Sequence, residues 1–412
     1  MTDRRSLLRG ALGAGVAGVA GAAAGAGITV AAAGTPAAAA DTATSPTATV
    51  PFHGERQAGI TTPLQRYASV LSLDVEAADR AGLEDLLRTL TDRARFLMRG
   101  GTPPDPGIAA PPTDSGVLGP VVVPDNLSIT VGVGASLFDR RFGLGAKKPA
   151  ELTMMPTFRD DHLEPDLTHG DLSLQVCADN RDTVGHAVRD IAKYLRGALS
   201  VRWRVDGFHS PPRPSGTPRN LLGFKDGTAN PDTTDNALMD RTVWIASDAD
   251  QPWITGGSYQ VIRKIRMLVE FWDRIGITEQ ENLIGRRRDT GAPMDGNAET
   301  DTPNYPADPV GAATPLTSHI RLANPRRPQT AASRILRRPY NFDNGMDAVG
   351  NLDMGLLFVA YQKSIARQFE TIQKRLEGEP LVDYIQPVGG GYFLALPGVR
   401  DDKDFFGRAL LA

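Results

Sequence analysis

The order in which apolar residues recur most limits what this chain can fold into, because one order of patterns occurs twice. In the first half, Leu127-Ser-Ile-Thr-Val-Gly-Val and then Leu172, Leu174 and Val176 alternate apolar and polar positions, as strands with one buried face do. Val184, Val188, Ile191 and Leu195 follow at helical spacing, and Val201, Trp203 and Val205 return to strand. An earlier stripe, Leu83, Leu86, Leu87, Leu90, Ala94 and Leu97, predicts a helix ahead of them. In the second half, Tyr259 to Leu268 reads as a strand running into a helix at Phe271-Trp272. Leu356 to Tyr361 is a strand, Ile365, Phe369, Ile372 and Leu376 line a helix, and Val388 to Phe393 closes with a strand. Strand, helix and strand at this spacing predict an α+β fold with two ferredoxin-like domains, each an antiparallel sheet carrying helices. The boundary falls between residues 41–215 and 216–412.

Two polar, Pro- and Gly-rich passages, Gly100 to Pro124 and Asp289 to Thr317, lack periodicity and read as loops. The chain has 412 residues and a formal net charge of −3, which excludes the electrostatic footprint of a nucleic-acid binder. Arginines do cluster locally, at Arg286 to Arg288 and Arg334 to Arg338, where they suit a small anion or a solvated face. Cys177 is the single cysteine, so no internal disulfide forms and no cysteine-based haem attachment is available.

Residues 1–40 read as an address. Arg4 and Arg5 precede an uncharged run from Gly10 to Ala40 that is mostly Gly and Ala, and Ala38-Ala39-Ala40 offers an A-x-A cleavage site. This pattern predicts a twin-arginine export signal and a periplasmic, cell-envelope or extracellular destination. A membrane anchor has a similar length, but glycine at this density makes a poor membrane helix.

Three local patterns could carry chemistry. In Gly223-Phe-Lys-Asp-Gly-Thr-Ala-Asn-Pro231, Asp-Gly and Asn-Pro are turn signals, and a plain turn accounts for them equally. In Ser318-His-Ile-Arg-Leu-Ala-Asn-Pro-Arg-Arg327, His319 is the one histidine of six set among arginines. An imidazole nitrogen can bind a haem iron while guanidinium groups neutralise its propionates. A solvent-exposed histidine in a basic loop fits the same residues. In Arg334-Ile-Leu-Arg-Arg-Pro-Tyr-Asn-Phe342, followed by Met354-Gly-Leu-Leu-Phe358, a basic strand edge leads into a buried strand.

Together and in this order, the patterns resemble the DyP-type (dye-decolourising) haem peroxidases, in particular their exported deferrochelatase/peroxidase branch. The resemblance covers nearly all of the chain after residue 40 and implies two ferredoxin-like domains of the dimeric α/β-barrel kind. It implies one non-covalent haem b per chain, hydrogen peroxide and an organic reductant as substrates, and a homodimer. His319 matches the axial ligand of the iron, and its other nitrogen should donate to a carboxylate. Asp383 matches that carboxylate, with Glu379 nearby. Asp226 matches the distal acid, which moves a proton from one peroxide oxygen to the other. Arg337 matches the distal arginine that stabilises the departing hydroxide. Gly227, Thr228 and Ala229 would approach the haem by backbone, while Asn324, Pro325 and Arg326 would meet its proximal side. Phe358 would pack on the distal face, and ordinary core packing explains it as well. Two other readings stand beside the peroxidase. One is an iron-uptake component, working with a permease, that removes iron from haem or oxidises ferrous iron. The other is a haem carrier without turnover.

Overall fold

The computed structural model describes residues 47–412, so the expected export signal lies outside the described residues. Among the described residues nine strands are present: β1 (Tyr67–Val75), β2 (Ser128–Gly134), β3 (Leu172–Ala178), β4 (Leu199–Phe208), β5 (Ser258–Met267), β6 (Leu336–Arg337), β7 (Tyr340–Met346), β8 (Leu352–Gln362) and β9 (Ile385–Ala395). The helices that bear on the site are α1 (Arg80–Arg99), α2 (Arg181–Tyr194), α3 (Asn236–Thr242), α4 (Val269–Trp272), α5 (Ile277–Ile284), α6 (His319–Ala323) and α7 (Thr371–Leu376).

All nine strands join one antiparallel sheet in the order β5-β9-β2-β3-β1-β4-β7-β8-β6, and a further β5–β8 pairing closes eight of them into a barrel. Two arcs make the closed sheet, ordered β4-β1-β3-β2 and β9-β5-β8-β7. They meet at two seams. At one, Val133 pairs with Leu394, and at the other Phe208 pairs with Asn341. Both halves of the chain thus contribute four strands each to one closed sheet. A four-stranded arc leaves two edges with unpaired backbone groups, and joining the arcs satisfies both.

The first helical stripe folds as expected. Asp79 caps α1 by accepting from the Gly82 backbone at 2.9 Å, and Leu83, Leu86, Leu87, Leu90, Ala94 and Leu97 are all buried. The strand β1 was not among the strands read from periodicity. Its alternation is confined to Leu71-Ser-Leu-Asp-Val75, and seven of its nine residues are buried. The expected strand through Val201 is present as β4, but Val201 is exposed. The register between β1 and β4 slips at Ser72/Leu73, and only Trp203 and Val205 of the expected face are buried.

The wall that matters for function is β5 beside β8. Arg263 pairs with Phe358, Ile265 with Leu356, and Arg337 of β6 with Ala360. Leu357, Val359 and Tyr361 turn to the other face of β8 and join a buried cluster with Val70 and Trp203. Gly390 of β9, at φ +120°, passes so near the Ile262 carbonyl that a Cβ there would collide with it.

Candidate active site

The loop before Asp226 is a tight turn built from its own side chains. The Asn220 side-chain oxygen accepts from the backbone of Leu222 at 3.1 Å and of Phe224 at 3.2 Å. Gly223 takes φ +87°, and the Asp226 N–H donates to the Pro218 carbonyl at 2.9 Å. Phe224 is buried against Trp272 of α4, which pins the turn to the core. Asp226 then stands in the wall of a cavity of about 290 Å³. Arg337 donates to its carboxylate from Nη1 at 2.7 Å. Asn230 holds Arg337 from both sides of its peptide, donating to its carbonyl at 2.8 Å and accepting from its N–H at 3.1 Å.

His319 opens α6 and lines the same cavity. Its Nδ1 lies 2.9 and 3.0 Å from the two oxygens of Glu379, which is buried. Burial pushes the imidazole pKa down, but the Glu379 carboxylate outweighs it and leaves it above the ordinary value. With Nδ1–H donating to Glu379, Nε2 carries the lone pair, and it makes no hydrogen bond among the described residues. The expectation of Asp383 as this partner is corrected. Asp383 ends the turn Pro380–Asp383 on its exposed side, whereas Glu379, just before the turn, faces inward.

Apolar side chains, Leu356 and Phe358 among them, supply the sheet wall of the cavity, and Ile372 and Leu376 of α7 line it as well. Gly227, Thr228, Ala229, Asn324 and Arg326 reach its surface as expected. Pro325 does not. It directly precedes Arg326, whose φ is +56°. Arg286, Arg326, Arg334 and Arg337 all line the cavity. Burial and then Arg326 lower the pKa of both Arg286 and Arg334, and the Arg326 Nε is enclosed without a partner. Such a cluster favours an anion. A free imidazole nitrogen, apolar walls, an acid–guanidinium pair and unmatched arginines fit an iron porphyrin bearing carboxylates.

Three contributors were not legible as functional residues. Asn230 lay inside the quoted Asp226 motif, but its grip on Arg337 crosses 107 positions of sequence. Glu379 was one of two nearby carboxylates. Glu299, which binds Thr228 at 3.0 Å, lies in an aperiodic loop that carries no pattern.

Both halves match family models, residues 57–209 the Dyp-type peroxidase N-terminal model and residues 217–400 the Dyp-type peroxidase C-terminal model. The chain belongs to the Dyp-type peroxidase family. This Dyp-type peroxidase is 52% identical to the deferrochelatase of Escherichia coli strain K12 over 367 residues, 88% of this chain and 87% of that protein. The deferrochelatase of Shigella flexneri matches with the same identity and coverage. Among solved structures, the DyP-type peroxidase from Cellulomonas bogoriensis superposes with a TM-score of 0.78 at 37% identity, covering 89% of this chain and 99% of that one. Ferric DtpA from Streptomyces lividans gives 0.79 at 34% identity, covering 89% and 98%. Family membership makes the protein an oxidoreductase and accounts for the closed antiparallel sheet with its outer helices.

Proposed function

We propose that this Dyp-type peroxidase binds haem b non-covalently and oxidises organic reductants with hydrogen peroxide. The observation that carries this reading is the hydrogen-bonded Asp226–Arg337 pair sharing one cavity with the Glu379-oriented His319. When bound, haem supplies the iron that accepts peroxide and holds the oxidising equivalents. His319 Nε2 would hold the iron, and the hydrogen bond from Nδ1 to Glu379 raises the basicity of the ring. Asp226 takes a proton from one oxygen of hydrogen peroxide and returns it to the leaving oxygen. Arg337, fixed through Asn230, stabilises the negative charge on that leaving oxygen. Arg286, Arg326 and Arg334 neutralise the carboxylates of the porphyrin. The backbone of Gly227 to Ala229, with Asn324 and Phe358, completes its walls.

Stopped-flow mixing with hydrogen peroxide tests the roles. Asp226→Asn and Arg337→Leu should keep haem, since neither residue touches His319 Nε2. At least one should slow the spectral change by on the order of 10²-fold. Wild-type rates in both would overturn the assignment and favour a carrier without turnover.

A second reading, iron removal from haem, rests on the 52% identity to proteins named deferrochelatase. Its direct test is incubation with haem, followed by porphyrin fluorescence and a ferrous-iron assay. The reading extends to export by the twin-arginine route, to a homodimer and, for iron handling, to a permease partner. Fractionation with Arg4 and Arg5 replaced by Lys, sedimentation and co-purification test these in turn. The arc orders β4-β1-β3-β2 and β9-β5-β8-β7 support two ferredoxin-like units, and the gap between the matched stretches, 209 to 217, supports a boundary near residue 215.

A further inference from the structure

The polar passage after Asp289 supplies a carboxylate that the reaction above leaves unused. Glu299 accepts from Lys225 Nζ at 2.6 Å, from Thr217 N at 3.1 Å, from Thr217 Oγ1 at 2.6 Å and from Thr228 Oγ1 at 3.0 Å. Lys225 and Thr228 stand on either side of Asp226 in the chain, so this one carboxylate grips the loop on both flanks of the acid. The Glu299 and Lys225 side chains are largely enclosed, 13% and 3% exposed. The space is shaped for them. A Cβ on Gly216, at φ +77°, would run into the Glu299 carboxylate, and one on Gly291, also at +77°, into the Lys225 side chain. Lys225 Nζ also donates to the Ser215 carbonyl. On its backbone side, the Glu299 carbonyl accepts from Arg286 Nη1 at 2.9 Å. Glu299 thus joins the loop of Asp226 to an arginine of the anion cluster.

We propose that Glu299 is a positioning residue for the distal acid, fixing the Lys225–Thr228 turn and, with Lys225, leaving no net charge beside Asp226. The inference rests on the reading of Asp226 as the acid that handles peroxide. A carboxylate on the order of 1 Å out of place loses much of its proton-transfer rate. An unbalanced neighbouring charge moves its titration. The other groups facing Asp226 are Arg337, in direct contact, and His209 and His319, both within electrostatic reach. Arg286 lies within electrostatic reach of Glu299 and Arg337. Burial, then Arg338, holds His209 at about 4, so it is neutral on the plateau, and its protonation at lower pH is common to every variant compared.

The test is the rate of the haem spectral change on mixing with hydrogen peroxide, followed across pH. The proteins are haem-loaded wild type, Glu299→Gln, Lys225→Met, the double variant, and Asp226→Asn as reference. Glu299→Gln removes a negative charge, so the acid limb of the rate should move to lower pH, by about half a unit or more. Lys225→Met removes a positive charge and should move it to higher pH. The double variant restores balance, and its limb should return towards wild type. In both single variants the plateau rate should fall by on the order of 10-fold. A role confined to stability would not give limb shifts of opposite sign. Limbs and plateaus unchanged, or limbs moving the same way, while Asp226→Asn is slow would overturn the inference and leave the reading of Asp226 standing. A wild-type rate in Asp226→Asn would remove that reading and this inference together.

Discussion

Glu379 and Asp383 are four positions apart, and only one of them meets His319. The tight turn Pro380–Asp383 decides which, by leaving Glu379 buried before it and Asp383 exposed at its end. His319→Ala should abolish most haem retention, read as loss of the Soret band after gel filtration. Glu379→Gln should keep haem but raise its reduction potential, because an amide withdraws the charge that makes the imidazole a strong donor. Spectroelectrochemistry checks the sign. Glu299 yields a pH prediction. Burial alone would raise its pKa, but Lys225, Thr217 and Thr228 outweigh it and hold the carboxyl at about 2, against an ordinary 4.5. A depressed folded-state value stabilises the fold above the unfolded pKa and loses that stabilisation as pH falls towards 2. The stability gap between wild type and Glu299→Gln, on the order of 3 kcal/mol by linkage, should therefore be full at pH 6 and shrink below pH 4.5. Urea titrations at pH 6 and pH 3 measure it. His319, Asp226 and Arg337 were legible because each sits in a local motif. Glu299 was not, because its partners lie more than 70 residues away.

Secondary-structure elements place these groups with very little chain. The strand β6 is only Leu336–Arg337, too short to orient a guanidinium by its pairing with β8 alone. Asn230 supplies the missing constraint through two hydrogen bonds to the Arg337 backbone. Asn230→Ala should leave haem affinity unchanged and slow the peroxide reaction by roughly 10-fold, since orientation at the reacting centre is what is lost. Haem titration beside stopped-flow kinetics separates the two effects. Elements with one buried face, such as α1, were legible from periodicity. Burial on both faces does not by itself erase the pattern, since β2 and β3 are buried throughout and still alternate, whereas in β1 the alternation is confined to Leu71-Ser-Leu-Asp-Val75. The helix expected through Ile365, Phe369, Ile372 and Leu376 is present, but its first turn, Ile365–Glu370, is π-helical. That wider turn presents Phe369 to the cavity, a placement that spacing alone does not encode.

At the scale of the whole molecule, the sequence pointed to two similar halves, and the structure joins them through the β2–β9 and β4–β7 seams. Joining edges is a long-range event that leaves no local mark, so the closed sheet was implied by the family resemblance and not by the periodicity. Closure also divides the cavity into a stiff side and a soft side. The walls from β5 and β8 are locked by pairing with neighbours on both flanks. The opposite walls come from the five residues of α6, the six of α7 and the turn at Pro380–Asp383. A flat, rigid guest the size of a porphyrin cannot part a closed sheet, so its doorway is the helical side, and the speed of loading is the speed at which those short helices open. Amide hydrogen exchange should record this asymmetry. In the haem-free protein, residues 319–335 and 365–384 should exchange quickly, while β5, β8 and β9 are protected, and loading haem should slow only the first group. Equal protection on both sides would mean that the guest arrives while the chain is still folding, and that the finished barrel never opens to receive it.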